Sequence, residues 1–200
     1  MKVALVHDYL REYGGAERVL EALHQLFPSA PIYTAFYNPS GLGFHAERIK
    51  NWDIRACWLQ YLPFANRLVS PLRILSRQMF ESFDLSEYDL IISSCNMYSA
   101  KAVKFRSDAV HISYIHTPPR FLYGFATSFN YKKHWWTRMI GEVINHLMRL
   151  DDFAISQRPT VLVANSRNVA ARIKKFYARD AVVIYPPVEI DRFTDARVVG

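Results

Sequence analysis

Lys2-Val3-Ala4-Leu5-Val6-His7-Asp8-Tyr9-Leu10-Arg11-Glu12-Tyr13-Gly14-Gly15-Ala16-Glu17 carries two signals in one stretch. Lys2–His7 is a short apolar run with β-branched residues, the pattern of a parallel strand buried on both faces. Ala16, Val19, Leu20, Leu23 and Phe27 then recur at helical spacing, and Pro28 stops the pattern. A strand, a glycine turn and a helix in that order make the first half of a βα unit. Downstream, Pro31–Ala35, Asp89–Ser94, Val110–His116, Thr160–Asn165 and Ala181–Tyr185 read as further strands. A helix with Val169, Ile173, Phe176 and Tyr177 on its apolar face follows Thr160–Asn165. Strands alternating with helices predict a doubly wound α/β domain around a parallel sheet. This domain is expected over residues 1–187. The polar stretch after Pro186-Pro187, residues 188–200, reads as the start of a linker.

Composition narrows the function classes. Half of the 200 residues are hydrophobic and 22% are charged, which excludes wholesale disorder. No apolar run approaches the roughly 20 residues that span a bilayer, and the first run is too short for a signal peptide. Cys57 and Cys95 stand far apart without a Cys-x-x-Cys spacing and are expected as reduced thiols in a cytoplasmic protein. The net charge of +7 is uneven: Arg55, Arg67, Arg73 and Arg77 fall between Ile54 and Phe80 with no acidic residue among them. Such a stretch suits anionic partners or is simply a solvated face. A recognisable nucleic-acid motif is missing, so no nucleic-acid partner is expected.

Three places hold candidate chemistry, all judged by the rule that open α/β sheets bind ligands at the carboxyl ends of their strands. At Gly14-Gly15 the backbone can approach a ligand at a helix N-terminus, where the dipole favours negative charge. A plain flexible turn is the alternative. The spacing is neither the Gly-x-Gly-x-x-Gly of dinucleotide binders nor a P-loop. Tyr114-Ile115-His116-Thr117-Pro118-Pro119-Arg120 ends a strand, so His116 is placed to meet a sugar hydroxyl and Arg120 a phosphate, unless local backbone satisfies the imidazole. From Trp136, the residues Met139, Ile140, Val143, Leu147 and Leu150 follow helical spacing, with Lys132, Lys133, Arg138 and Arg149 among the polar positions. That stripe reads first as core and second as an interfacial face on anionic lipid. Trp58–Phe80 allows either reading. Histidines at His-x-x-x-His spacing are lacking and no cysteine has a near partner, so no metal site is expected; Gly-x-Ser-x-Gly is absent too.

Three of these stretches together resemble the N-terminal domain of GT-B-fold, family 4 (group 1) retaining glycosyltransferases. They are Val3–Tyr9 running through Gly14–Arg18, then Tyr114–Arg120, and lastly Val163–Ile173 with Val183–Val188. The resemblance implies a Rossmann-like domain on the acceptor side of a two-domain enzyme whose C-terminal donor-binding domain is not in these 200 residues. It implies a nucleotide-sugar donor, a glycan or lipid-linked acceptor, polysaccharide biosynthesis, and no metal or other cofactor. Gly14 and Gly15 would lie at the donor diphosphate and His116 would be catalytic, touching the transferred sugar. Asp8, Tyr9 and Arg120 would be further substrate contacts. Arg67, Arg73 and Arg77 would form a membrane or acceptor surface at the inner face of the cell membrane. A chain of this extent is expected to be inactive alone; a non-catalytic α/β binding module is the alternative.

Overall fold

The computed structural model describes residues 1–63, 69–97, 99–124 and 135–188. Seven strands form one parallel sheet: β1 (Val3–His7), β2 (Ile32–Thr34), β3 (Ile54–Ala56), β4 (Leu90–Cys95), β5 (Val110–Ile115), β6 (Val161–Ala164) and β7 (Val182–Val183). Their spatial order is β3-β2-β1-β4-β5-β6-β7, so the winding direction reverses between β1 and β4. The doubly wound sheet expected from the alternating pattern is the fold. β3 had no sequence signal, because it is a three-residue edge strand whose middle residue, Arg55, is exposed. β7 is shorter than the Ala181–Tyr185 run suggested.

Four longer helices are α1 (Gly15–Leu26), α2 (Ser76–Glu81), α3 (Trp135–Ser156) and α4 (Arg167–Tyr177). Alternation along each strand divides the core into two faces. Ala4, Val6, Ile91 and Ile115 join Met79 of α2, Ile155 of α3 and Ile173 of α4 in one cluster. Leu5 and Ile92 pack with Leu20 of α1 on the opposite face. Tyr114 and Val163 meet Val19 of α1 on that same side.

Residues Glu189 to Gly200, most of the expected linker, lie outside the described residues, as do Arg67, Lys132 and Lys133. Among the described residues, no helix is long and apolar enough to cross a membrane.

A buried ion pair fastens α3 to the turn that follows β4. Lys101 Nζ donates to Asp152 Oδ1 at 2.6 Å, with both side chains almost fully enclosed. The Tyr123 hydroxyl donates to the other carboxylate oxygen at 2.8 Å, and the Lys101 ammonium lies 5.2 Å from the Tyr177 ring centroid. Removing one partner of such a pair leaves an uncompensated buried charge. Asp152→Ala is therefore expected to lower stability by about 3–5 kcal/mol in a urea titration. Replacing Lys101 and Asp152 together by apolar residues of similar volume should recover most of that loss.

Candidate functional site

Open α/β sheets bind ligands past the carboxyl ends of their strands where the winding reverses, which in this sheet is the crevice position at β1, β4 and β5. Register places His7 beside Ser94 and Ser94 beside Tyr114. The His116 amide donates to the Cys95 carbonyl at 2.8 Å, extending the β4–β5 ladder one step past the strand. Counting alternate residues, His7 follows Leu5, Ser94 follows Ile92 and His116 follows Tyr114. All three thus stand on the face that α1 covers.

His116 Nε2 is 2.8 Å from Ser94 Oγ, and its ring lies 5.1 Å from that of Tyr114. Burial pushes the imidazole down to about 4, with His7 acting in the same direction and Glu17 opposing. It is therefore a neutral side chain at neutral pH, able both to donate and to accept. His111, inside β5, shows the fate of a fully buried histidine. Five positions away, it points to the opposite face, where Ser93 Oγ lies 2.8 Å from its Nε2. Burial, with Arg179 second, pushes it to about 3. Of the two, His116 is the one that stands at the carboxyl edge of the sheet.

At the N-terminus of α1 the two glycines differ. The Gly14 amide donates to Glu17 Oε2 at 2.8 Å, so the helix caps itself with its own carboxylate. Gly14 thus departs from the expectation that both glycine amides stand ready for a diphosphate: a tethered local acceptor has taken its N–H. Gly15 is exposed, and a Cβ built on it meets nothing within 4 Å. Glu17 Oε1 lies 3.4 Å from His7 Nε2. Burial alone would raise the Glu17 carboxyl, but the hydrogen bond and charge of His7 and the local backbone amides outweigh it and hold it below its ordinary value. His7 Nδ1 is buried and has no hydrogen-bond partner among the described residues.

Asp8 was expected as a substrate contact, and its carboxylate is instead turned inward. It accepts from the amides of Asn96 at 2.5 Å, Met97 at 2.7 Å and Ala100 at 3.1 Å, and the residue is 1% exposed. An acceptor-only group at the end of β1 is the natural partner for amides that the end of β4 leaves unpaired. The Tyr9 hydroxyl donates to Glu12 Oε1 at 3.1 Å. Burial, with the Glu12 charge next, pushes Tyr9 well above its ordinary range. Arg120 is exposed on the loop after His116.

The basic stretch is dispersed by the fold. Arg55 is paired with Asp53 at 2.7 Å and donates to the Tyr33 hydroxyl at 2.8 Å. Arg77 is paired with Glu81 and Asp151, and the Arg73 guanidinium lies 4.8 Å from the Phe121 ring centroid. Asp53 and Glu81, which flank the segment, and Asp151 from α3 pair with arginines of a segment that has no acidic residue of its own.

The stripe on α3 goes the other way. Met139, Val143, Leu147, Leu150 and Phe153 are 61%, 60%, 59%, 57% and 44% exposed. The core reading of that stripe therefore fails. Asn145, Asp152, Ile155 and Ser156 form the buried side of the helix, with a polar anchor in place of an apolar one. A separate hollow of about 390 Å³, lined by Glu81, Phe83, Asp84, Lys104 and Arg106 among others, precedes β4 and β5 in the chain and so lies away from the crevice. Among the described residues, no cluster of three or more His, Cys, Asp or Glu is placed to hold a metal ion.

The sequence profile of Glycosyltransferase Family 4 matches residues 13–192, and the chain belongs to that family. A search of curated proteins returns no match.

The depressed His116 gives a pH-dependent stability whose sign is fixed. In the window from about pH 6.5 to 4 the unfolded imidazole binds a proton that the folded one refuses. Stability is thus complete above the window and falls as pH drops through it. Between pH 7.5 and 5 the contribution is roughly 2 kcal/mol. Comparing urea midpoints of wild type and His116→Gln at both pH values should show a flatter dependence in the variant, with the His111 share retained.

Proposed function

From its membership of this glycosyltransferase family, we propose that the chain forms the acceptor-side half of a retaining transferase. The enzyme moves a sugar from a nucleotide-sugar donor to a glycan or lipid-linked acceptor in polysaccharide assembly. The observation that carries the reading is a neutral, half-buried His116 held by Ser94, together with an unobstructed glycine at the start of α1, both at the carboxyl edge where the sheet reverses.

In this reading the diphosphate approaches the N-terminus of α1 at Gly15, where the missing Cβ leaves room and the helix dipole favours the charge released as the donor breaks. His116 hydrogen-bonds a hydroxyl of the transferred sugar and orients it. The acceptor oxygen bonds to the anomeric carbon on the face the leaving group vacates. As the carbon–oxygen bond to phosphate breaks, the acceptor's proton passes to the departing phosphate oxygen. No step uses a metal, another cofactor or nucleic acid. The rest of the donor site comes from a second domain, so the 200 residues alone turn over slowly or not at all.

Peripheral membrane contact belongs to the same proposal, but the support has shifted from the arginines to α3. An exposed apolar stripe on a helix anchored from behind by the Lys101–Asp152 pair suits an interface with lipid or a lipid-linked acceptor.

The enzyme carrying this domain, assayed against a panel of nucleotide sugars and lipid-linked acceptors, should lose about 10²–10³ in kcat with His116→Ala. A loss below threefold would remove His116 from the mechanism. Gly15→Ala should leave the fold intact, its helix being no less stable, while donor affinity falls at least tenfold; unchanged affinity would place the diphosphate elsewhere. Leu147→Gln with Leu150→Gln should reduce co-sedimentation with anionic vesicles, and unaltered sedimentation would rule out contact through α3.

A further inference from the structure

Glu17 uses its two carboxylate oxygens for two different donors. Oε2 accepts the Gly14 amide and Oε1 faces His7 Nε2. Glu17 and His7 are both buried. A carboxylate that is ionised can only accept, so the proton of this contact belongs to Nε2. In the neutral ring Nδ1 is then a bare acceptor, and it is buried without a hydrogen-bond partner among the described residues. Leaving such a group unsatisfied is costly, and buried polar groups without partners are rare in folded proteins. His7 pairs in register with Ser94, the residue that holds His116, and lies on the same face of the sheet. His7 therefore stands in the same polar row as Ser94 and His116, at the carboxyl edge of the sheet.

Resting on that reading of the crevice, we infer that Glu17 is a positioning residue. It fixes His7 with its proton on Nε2 and so presents Nδ1 as a hydrogen-bond acceptor for a sugar hydroxyl, next to the contact made by His116. The hydroxyl belongs either to the donor's sugar or to the acceptor glycan; the chemistry is the same.

Glu17→Gln separates this role from the structural one. An amide has a single oxygen. Kept on the Gly14 N–H, it leaves the NH₂ group facing Nε2, which must then accept, and the ring proton moves to Nδ1. The helix stays capped while the acceptor becomes a donor. Nitrogen-detected NMR of the imidazoles in the full 200-residue chain at pH 7.5 reads this without any ligand. The expected result is Nε2–H for His7 in the wild type and Nδ1–H in E17Q, with little change in Tm. Titration with UDP-glucose and GDP-mannose should then move the His7 Nδ1 resonance in the wild type, with at least tenfold weaker response in E17Q. UDP and GDP serve as sugar-free controls. Response to the nucleotide sugars but not to these controls assigns the hydroxyl to the donor; response to free glucose or mannose assigns it to the acceptor.

A wild-type His7 protonated at Nδ1, or at both nitrogens, overturns the inference, as does an undiminished response in E17Q. If His116 responds to the nucleotide sugars and His7 responds to no probe, Glu17 has no such role and the crevice reading stands. If neither histidine responds to any probe, both fail together.

Discussion

One carboxylate ties the end of the first strand to the turn after the fourth. Asp8 ends the first strand and collects the backbone amides of Asn96, Met97 and Ala100, which would otherwise point unpaired into the space past the fourth strand. In a parallel sheet the carboxyl ends of neighbouring strands must diverge into separate connections, and their leading amides need partners. A charged acceptor with two oxygens meets several of them at once. Because the divergence at β1 and β4 is also where the winding reverses, this bond set decides how the crevice is walled. Lys101, immediately after the clamped turn, then carries the constraint to α3 through Asp152.

Most of the architecture was legible because it rests on local pattern. The apolar runs of β1, β4, β5 and β6 and the stripe of α4 are each explained by burial alone, and burial is what periodicity records. β3 was not legible, since an edge strand with an exposed arginine has no such pattern. Within the site, the placement of His116 followed from its position after a buried strand. Ser94 and His7 were missed, although each lies two residues past a core position on a strand that was recognised. Glu17 had a signal that went unused: an acidic residue three after a helix N-cap commonly turns back to bind it. Asp8 could not be assigned from sequence at all. Whether a carboxylate at a strand end faces ligand or backbone depends on a turn almost ninety residues further along.

Charge and apolar pattern misled in opposite directions, for one reason. The arginine-rich stretch seemed exposed and the stripe on the long helix seemed buried, each judged from its own segment. The folded surroundings changed both. Glu81 on the same helix and Asp151 on α3 neutralise Arg77, while α3 turns its polar Asn145 and Asp152 inward and leaves its leucines outside. A segment's composition fixes what it needs from its surroundings; the fold decides whether it receives it.

The position of β1 inside the sheet, between β2 and β4, has a consequence for how the chain is made. Among the strands of this sheet it is synthesised first, and its β4 partner lies 87 residues further along the chain. At ordinary translation speeds that interval is between roughly 4 and 17 s. Until β4 emerges, the nascent chain holds a β1–α1–β2–β3 piece with the long edge of its most apolar strand bare, and His7 and Asp8 lack their neighbours. The β1–β4 edge thus assembles late, although its β1 residues are made before every other strand of the sheet. Such a chain depends on protection during synthesis more than one whose central strands are made together.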